Sequence, residues 1–165
     1  MRWFWVLLCC VGVGACGFKP LYMSENNQNV VQEAEKIQIA PIPNAGGYQM
    51  NVLLRQKLNP KQIIDLKKWE LRVQLKEPVF YDQSIRGDNF TSLEKMTLTA
   101  SYQLVDLKTN TAIVSSDTSA SGSYNIVNEP YATITAKEKM YQNLIHILAD
   151  DISLHLFSYL RGREQ

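Results

Sequence analysis

The chain has 165 residues, 17 basic against 16 acidic, and a mean hydropathy of -0.19. That near-neutral balance argues against a nucleic-acid binder, whose affinity comes largely from neutralised phosphates. The length fits one domain with a single buried core, and no internal repeat or long low-complexity tract is visible.

The first sixteen residues are set apart from the rest. Arg2 is their only charge, Trp3 through Val13 is apolar, and Val13-Gly14-Ala15 brings small residues up to Cys16. A charged start, a short apolar core and a small-residue cleavage region read as a secretory signal at 1–15. The run is too short for a spanning helix, which takes roughly 20 apolar residues. Val13-Gly14-Ala15-Cys16 resembles a bacterial lipobox, which implies cleavage before Cys16 and a diacylglycerol on its sulfur, with palmitate-like chains for anchoring. An uncleaved anchor or an ordinary signal peptide is the competing reading. Cys9 and Cys10 would leave with the signal, so the mature chain would hold no free thiol for a disulfide, a thiolate metal site or a nucleophile. Each buried CH2 of an acyl chain contributes about 0.8 kcal/mol, so two or three chains anchor stably. Cleavage also removes Arg2 and brings the charges into balance.

Residues 16–34 are expected to be the acylated N-terminus and a flexible tether, because Ser24 to Asn29 carries no apolar residue. A folded domain is expected over 35–162. Ile37-Gln38-Ile39-Ala40 alternates and Pro41-Ile42-Pro43 ends it, which predicts a short first strand. Asn44-Ala45-Gly46-Gly47 predicts a turn, and Tyr48 to Leu58 a helix of about three turns stopped at Asn59-Pro60. Trp69 to Lys76 alternates four apolar with four polar residues, a strand with one packed and one open face.

Ser92 to Asp106 gives a strand with Leu98, Ala100, Tyr102 and Leu104 on one face, and Thr97, Thr99, Ser101 and Gln103 on the other. A hairpin loop at 106–110 leads to a returning strand from Thr111 to Val127. Its small polar run, Ser115 to Ser123, fits an exposed edge strand or a surface smoothed to lie against another protein. The last element is a long helix. Thr135-Ala136-Lys137-Glu138 fits a capping box, Met140, Leu144, Leu148, Ile152, Leu156 and Leu160 form its stripe, and Gly162 stands where a C-terminal cap belongs. The order strand-helix-strand-strand-strand-helix predicts an α+β domain, with two helices packed on one face of a four-stranded mixed sheet.

Motifs for chemistry are few. His146 and His155 lie nine apart on the last helix, unlike an i,i+4 metal pair, and Asp150 and Asp151 face different directions. There is no phosphate loop, nucleophile elbow or HExxH motif. No enzyme is expected, and no metal or other cofactor, although a dispersed triad leaves no local signature. Basic residues gather at Arg55, Lys57, Lys61, Lys67 and Lys68, and again at Arg86 and Lys95. Both groups read as ordinary solubilising charge or as phosphate contacts. The stretch Tyr81 to Phe90 reads as a recognition loop with an aromatic at each end.

Cys16-Gly17-Phe18-Lys19-Pro20-Leu21-Tyr22 resembles the start of mature LptE, the lipopolysaccharide-assembly lipoprotein family, in its alphaproteobacterial form. Tyr102-Gln103-Leu104-Val105-Asp106 before a Thr-Asn turn resembles the family's central hairpin. The resemblance implies a partner rather than a reaction. It implies a lipid-anchored protein at the periplasmic side of the outer membrane, plugging the LptD β-barrel, aiding its assembly and helping to insert lipopolysaccharide at the cell surface. Gly17, rather than aspartate, after the cysteine is compatible with outer-membrane sorting. The family's use of basic residues on the sheet and its loops points to Arg86 and Lys95 as lipopolysaccharide contacts. The alternatives are an auxiliary outer-membrane lipoprotein of another lipid-transport or secretion system, and a periplasmic lipoprotein hydrolase using a Ser or Asp beside His146 or His155.

Overall fold

A computed structural model describes residues 26–61, 67–85 and 91–163. In chain order the elements are α1 (Asn26–Glu35), β1 (Ile37–Ile39), α2 (Gly47–Leu58), β2 (Trp69–Leu75), β3 (Val79–Ile85), β4 (Thr91–Asp106), β5 (Thr111–Asn125) and α3 (Pro130–Gly162). The architecture is the expected α+β one: helices cover one face of a mixed sheet and the other face is open.

β4 organises the sheet. At 16 residues it is long enough to take β5 along its whole length on one side and two strands end to end on the other. β2 pairs antiparallel with residues 100–106 and β3 with residues 91–97. Leu75 faces Ala100 and Val79 faces Thr97, so Lys76-Glu77-Pro78 holds one residue more than the opposite strand. Pro78 cannot donate to the ladder, so the chain bulges there and resumes as β3. β1 joins β2 in parallel, Ile37 opposite Trp69, because the α2 crossover returns the chain in the same direction. Asn44 and Gly46 take positive φ values of 78° and 81° in the turn before α2, Gly46 standing as its N-cap.

The core lies between this sheet and the helices. Leu71, Leu75, Leu98, Ala100 and Leu104 meet Leu144, Leu148, Ile152 and Leu156 of α3, and Met50 and Leu54 of α2. Every residue of the predicted α3 stripe from Leu144 onward is buried, while Met140 is half-buried against the cluster. A β-carbon on Gly122 would lie 2.4 Å from Met140 Sδ, so the bare glycine lets α3 approach β5.

Several expectations are corrected. The sheet has five strands, because Val79–Ile85, read partly as loop, pairs with β4 as a strand. Its weak alternation hid it, since both Val79 and Tyr81 sit on the open face while only Phe80 turns inward. Three helices lie among the described residues. Asn26–Glu35 is helical where a tether was expected, burying Val30 and Ala34 against the core, so the packed domain starts before residue 35. That burial supplies what its polar composition lacks. α3 starts at Pro130 rather than at the Thr135 capping box, since Pro at N1 needs no N–H partner. Thr135 Oγ1 instead donates back to the Tyr131 carbonyl, 2.9 Å away. Gly162 is the last helical residue, and Arg163 caps. The fifth strand and the third helix extend the expected fold without changing its class.

Candidate functional site

The open face of the sheet is a polar plane built by strand alternation. Glu70, Arg72 and Gln74 come from β2, Thr97, Thr99, Ser101 and Gln103 from β4, and Ser115, Asp117, Ser119, Ser121 and Ser123 from β5. Four of the charges on it pair with each other. Arg72 Nε lies 2.6 Å from Glu70 Oε2, and Glu70 Oε1 accepts from Gln38 Nε2 at 2.9 Å. Lys76 Nζ lies 3.2 Å from Asp117 Oδ2, and the Ser101 hydroxyl together with Lys76 holds the Asp117 carboxyl below the usual range. Between these groups is a shallow depression of about 260 Å³, lined by Arg72, Gln74, Ser101, Gln103, Ser115 and Asp117.

Lys95 sits on this face near the β3–β4 end, opposite Tyr81 on one side and Ser123 on the other. The Ser123 hydroxyl donates to Gln83 Oε1 at 2.5 Å, spanning the strand that carries Lys95. Tyr81 is 56% exposed and Val79 49%. Tyr81 was expected as an aromatic at the end of a recognition loop and stands instead on a strand opposite Lys95, while Val79 was not singled out in the sequence. Arg86 and Cys16 lie outside the described residues.

Of the other basic group, Lys57, Lys61 and Lys68 are ion-paired. Lys57 pairs with Asp150, Lys61 with Glu35 at 2.9 Å, and Lys68 with Glu33 at 3.3 Å. Burial raises the Glu33 carboxyl, but Lys36 and Lys68 outweigh it and leave the group below its ordinary value. A cleft of about 450 Å³ between α1, α2 and α3 has the Lys57–Asp150 pair at its rim.

His155 has a structural setting. His155 Nδ1 hydrogen-bonds the Tyr102 hydroxyl, with the rings edge-to-face at 6.0 Å between centroids. No cluster of three or more His, Cys, Asp or Glu side chains suited to a metal occurs among the described residues. No helix among them is long and apolar enough to cross a membrane.

No family model matches the chain. It is 24% identical over 160 residues to an uncharacterized protein of Rickettsia prowazekii (strain Madrid E), covering 94% of this chain and 95% of that one. Among solved structures it resembles a candidate lipoprotein from Caulobacter crescentus CB15, with a TM-score of 0.65 and 22% identity over 82% of this chain and 97% of that one. Rare lipoprotein B from Shewanella oneidensis gives 0.62 and 13% identity, over 78% of this chain and all of the other. A lipoprotein B from Nitrosomonas europaea gives 0.55 and 12%, over 74% and 82%. The fold is therefore one that bacterial lipoproteins use.

Proposed function

We propose that the chain is a non-catalytic, lipid-anchored outer-membrane lipoprotein of the LptE type, which plugs the LptD barrel and supports lipopolysaccharide insertion. The observation that carries this reading is the uncovered sheet face, polar across three strands and internally charge-paired. A barrel lumen is polar and wet, and a surface made largely of serines, threonines and ion pairs suits it. The Cys16-to-Tyr22 start and the fold shared with lipoproteins of Caulobacter and Shewanella support the same reading. Acylated Cys16 would hold the domain at the periplasmic leaflet. Lys95 with Tyr81 offers a phosphate donor beside an apolar surface, the two chemistries that a lipid A headgroup presents, and Arg86 would add a second cation.

The test is recovery of partners from detergent-solubilised outer membranes with a C-terminally tagged chain, identified by mass. A large barrel protein at equal stoichiometry is the expected result. An inner-membrane transporter, or no partner, would overturn it in favour of an auxiliary lipoprotein of another system.

A further inference from the structure

β5 is the long free edge of the sheet, and its register shows which backbone groups are unpaired. The Lys76 N–H donates to the Thr99 carbonyl at 2.9 Å, so the odd-numbered residues in the middle of β4 turn their backbone toward β2 and β3. Leu98, Ala100 and Tyr102 therefore bond β5, through Ala120, Thr118 and Ser116. It follows that Ser115, Asp117, Ser119, Ser121 and Ser123 turn both N–H and C=O outward, away from β4. Among the described residues no other backbone pairs with them.

Edge strands are normally blunted by proline, lysine, bulges or brevity. β5 has one register break, between its pairs to Leu104 and Val105 near its start. From Val114 to Asn125 its register is unbroken, without proline or lysine, and Asp117 is the only charge. That carboxylate is drawn back over the sheet by Lys76 and does not screen the edge. A centred antiparallel pairing of β5 with a second copy would bring the two Asp117 carboxylates to neighbouring positions, which disfavours self-association.

We infer that the Ser115–Ser123 edge of β5 is a strand-docking site, which accepts an extended segment of the barrel protein as a sixth strand. The inference rests on the barrel reading above and names the contact through which it operates. Main-chain hydrogen bonds from the outward-facing residues would supply the affinity, and the exposed serine side chains on the same residues leave the approach unobstructed.

Proline separates this edge from the fold. At Ser119 it deletes an N–H that points outward, which edge strands tolerate; at Ala120 it deletes one that bonds Leu98. The measurement is barrel recovery with the full-length acylated chain carrying Ser119→Pro or Ser121→Pro, alongside thermal melting of each variant. The expected result is a melting temperature within about 4 °C of wild type and barrel recovery lower by about tenfold or more. Barrel recovery at the wild-type ratio by a folded Ser119→Pro chain overturns the docking site and leaves the barrel reading standing. Loss of the barrel partner from the wild-type chain itself overturns both. If the proline variants melt early, a photocrosslinking phenylalanine at Ser119 decides instead. An adduct on one extended barrel segment supports the site, and recovery of the barrel without an adduct overturns it.

Discussion

The Tyr102 hydroxyl on β4 is hydrogen-bonded to Nδ1 of His155 on α3, so the central strand and the closing helix share a polar link beside their apolar contact. Tyr102 is buried and His155 is exposed, so the tyrosine depends on the bond more than the histidine does. Tyr102→Phe is expected to cost about 1 kcal/mol, the usual net worth of such a bond. His155→Ala should cost no more than that, because Ser116 still bonds the Tyr102 hydroxyl. Urea denaturation of the two variants and their double mutant checks both values.

Alkaline pH should weaken the domain. Burial holds the hydroxyls of Tyr102, Tyr124 and Tyr141 protonated above the ordinary value of 10.0, aided by Asp151, Glu94 and Glu138 respectively, against an opposing Ser116 bond at Tyr102. The unfolded chain releases these protons first, so the tyrosines' contribution is constant below pH 10 and stability falls as pH rises beyond it. Replacing Tyr124 with Phe should flatten that fall, measured as melting temperature against pH.

Glu33 predicts the opposite dependence. Its carboxyl is held below its ordinary value of 4.5, so its contribution is present at neutral pH and is lost as pH drops through the folded-state value. Glu33→Gln should lower stability at pH 7 by about 1 kcal/mol or less, the range for partly exposed pairs. The gap between the two melting curves should close on acidification toward pH 3.

Gly122→Val is expected to destabilise by about 1–3 kcal/mol, since its side chain would overpack against Met140. Met140→Ala in the same chain should recover part of that loss. A double-mutant cycle returning zero coupling would place the two residues out of contact.

For lipopolysaccharide, reversing charge at both Arg86 and Lys95 should weaken binding to the purified chain while circular dichroism stays unchanged. Unaltered binding by that double variant would remove Lys95 from the candidate site.

Much of the fold was legible because its main strands and its longest helix keep clean periods. Trp69 to Leu75 alternates without a fault, and α3 repeats Leu144, Leu148, Ile152, Leu156 and Leu160 at four-residue steps. What escaped has tertiary causes. α1 has a polar sequence and packs through Val30 and Ala34, a stripe too thin to announce a helix. β3 follows a bulge that no local pattern reveals, and its two exposed apolar residues broke the alternation. The open face was readable as polar, but not its closed ion pairs, since Lys76 and Asp117 stand 41 residues apart.

The Lys76-Glu77-Pro78 bulge shifts side-chain parity along what would otherwise be a single strand. Were all three residues paired regularly, with no bulge, Val79 would fall opposite Met96 and turn in toward the helices with Tyr81, and Phe80 would point outward. Instead Phe80 meets the Lys137 ammonium of α3 at 4.2 Å, and Tyr81 stands beside Lys95 in solvent. One inserted residue thus gives an otherwise hydrophilic plane a greasy corner. Deleting Glu77 would straighten the strand and leave that corner in place, since Val79 would keep its register with Thr97.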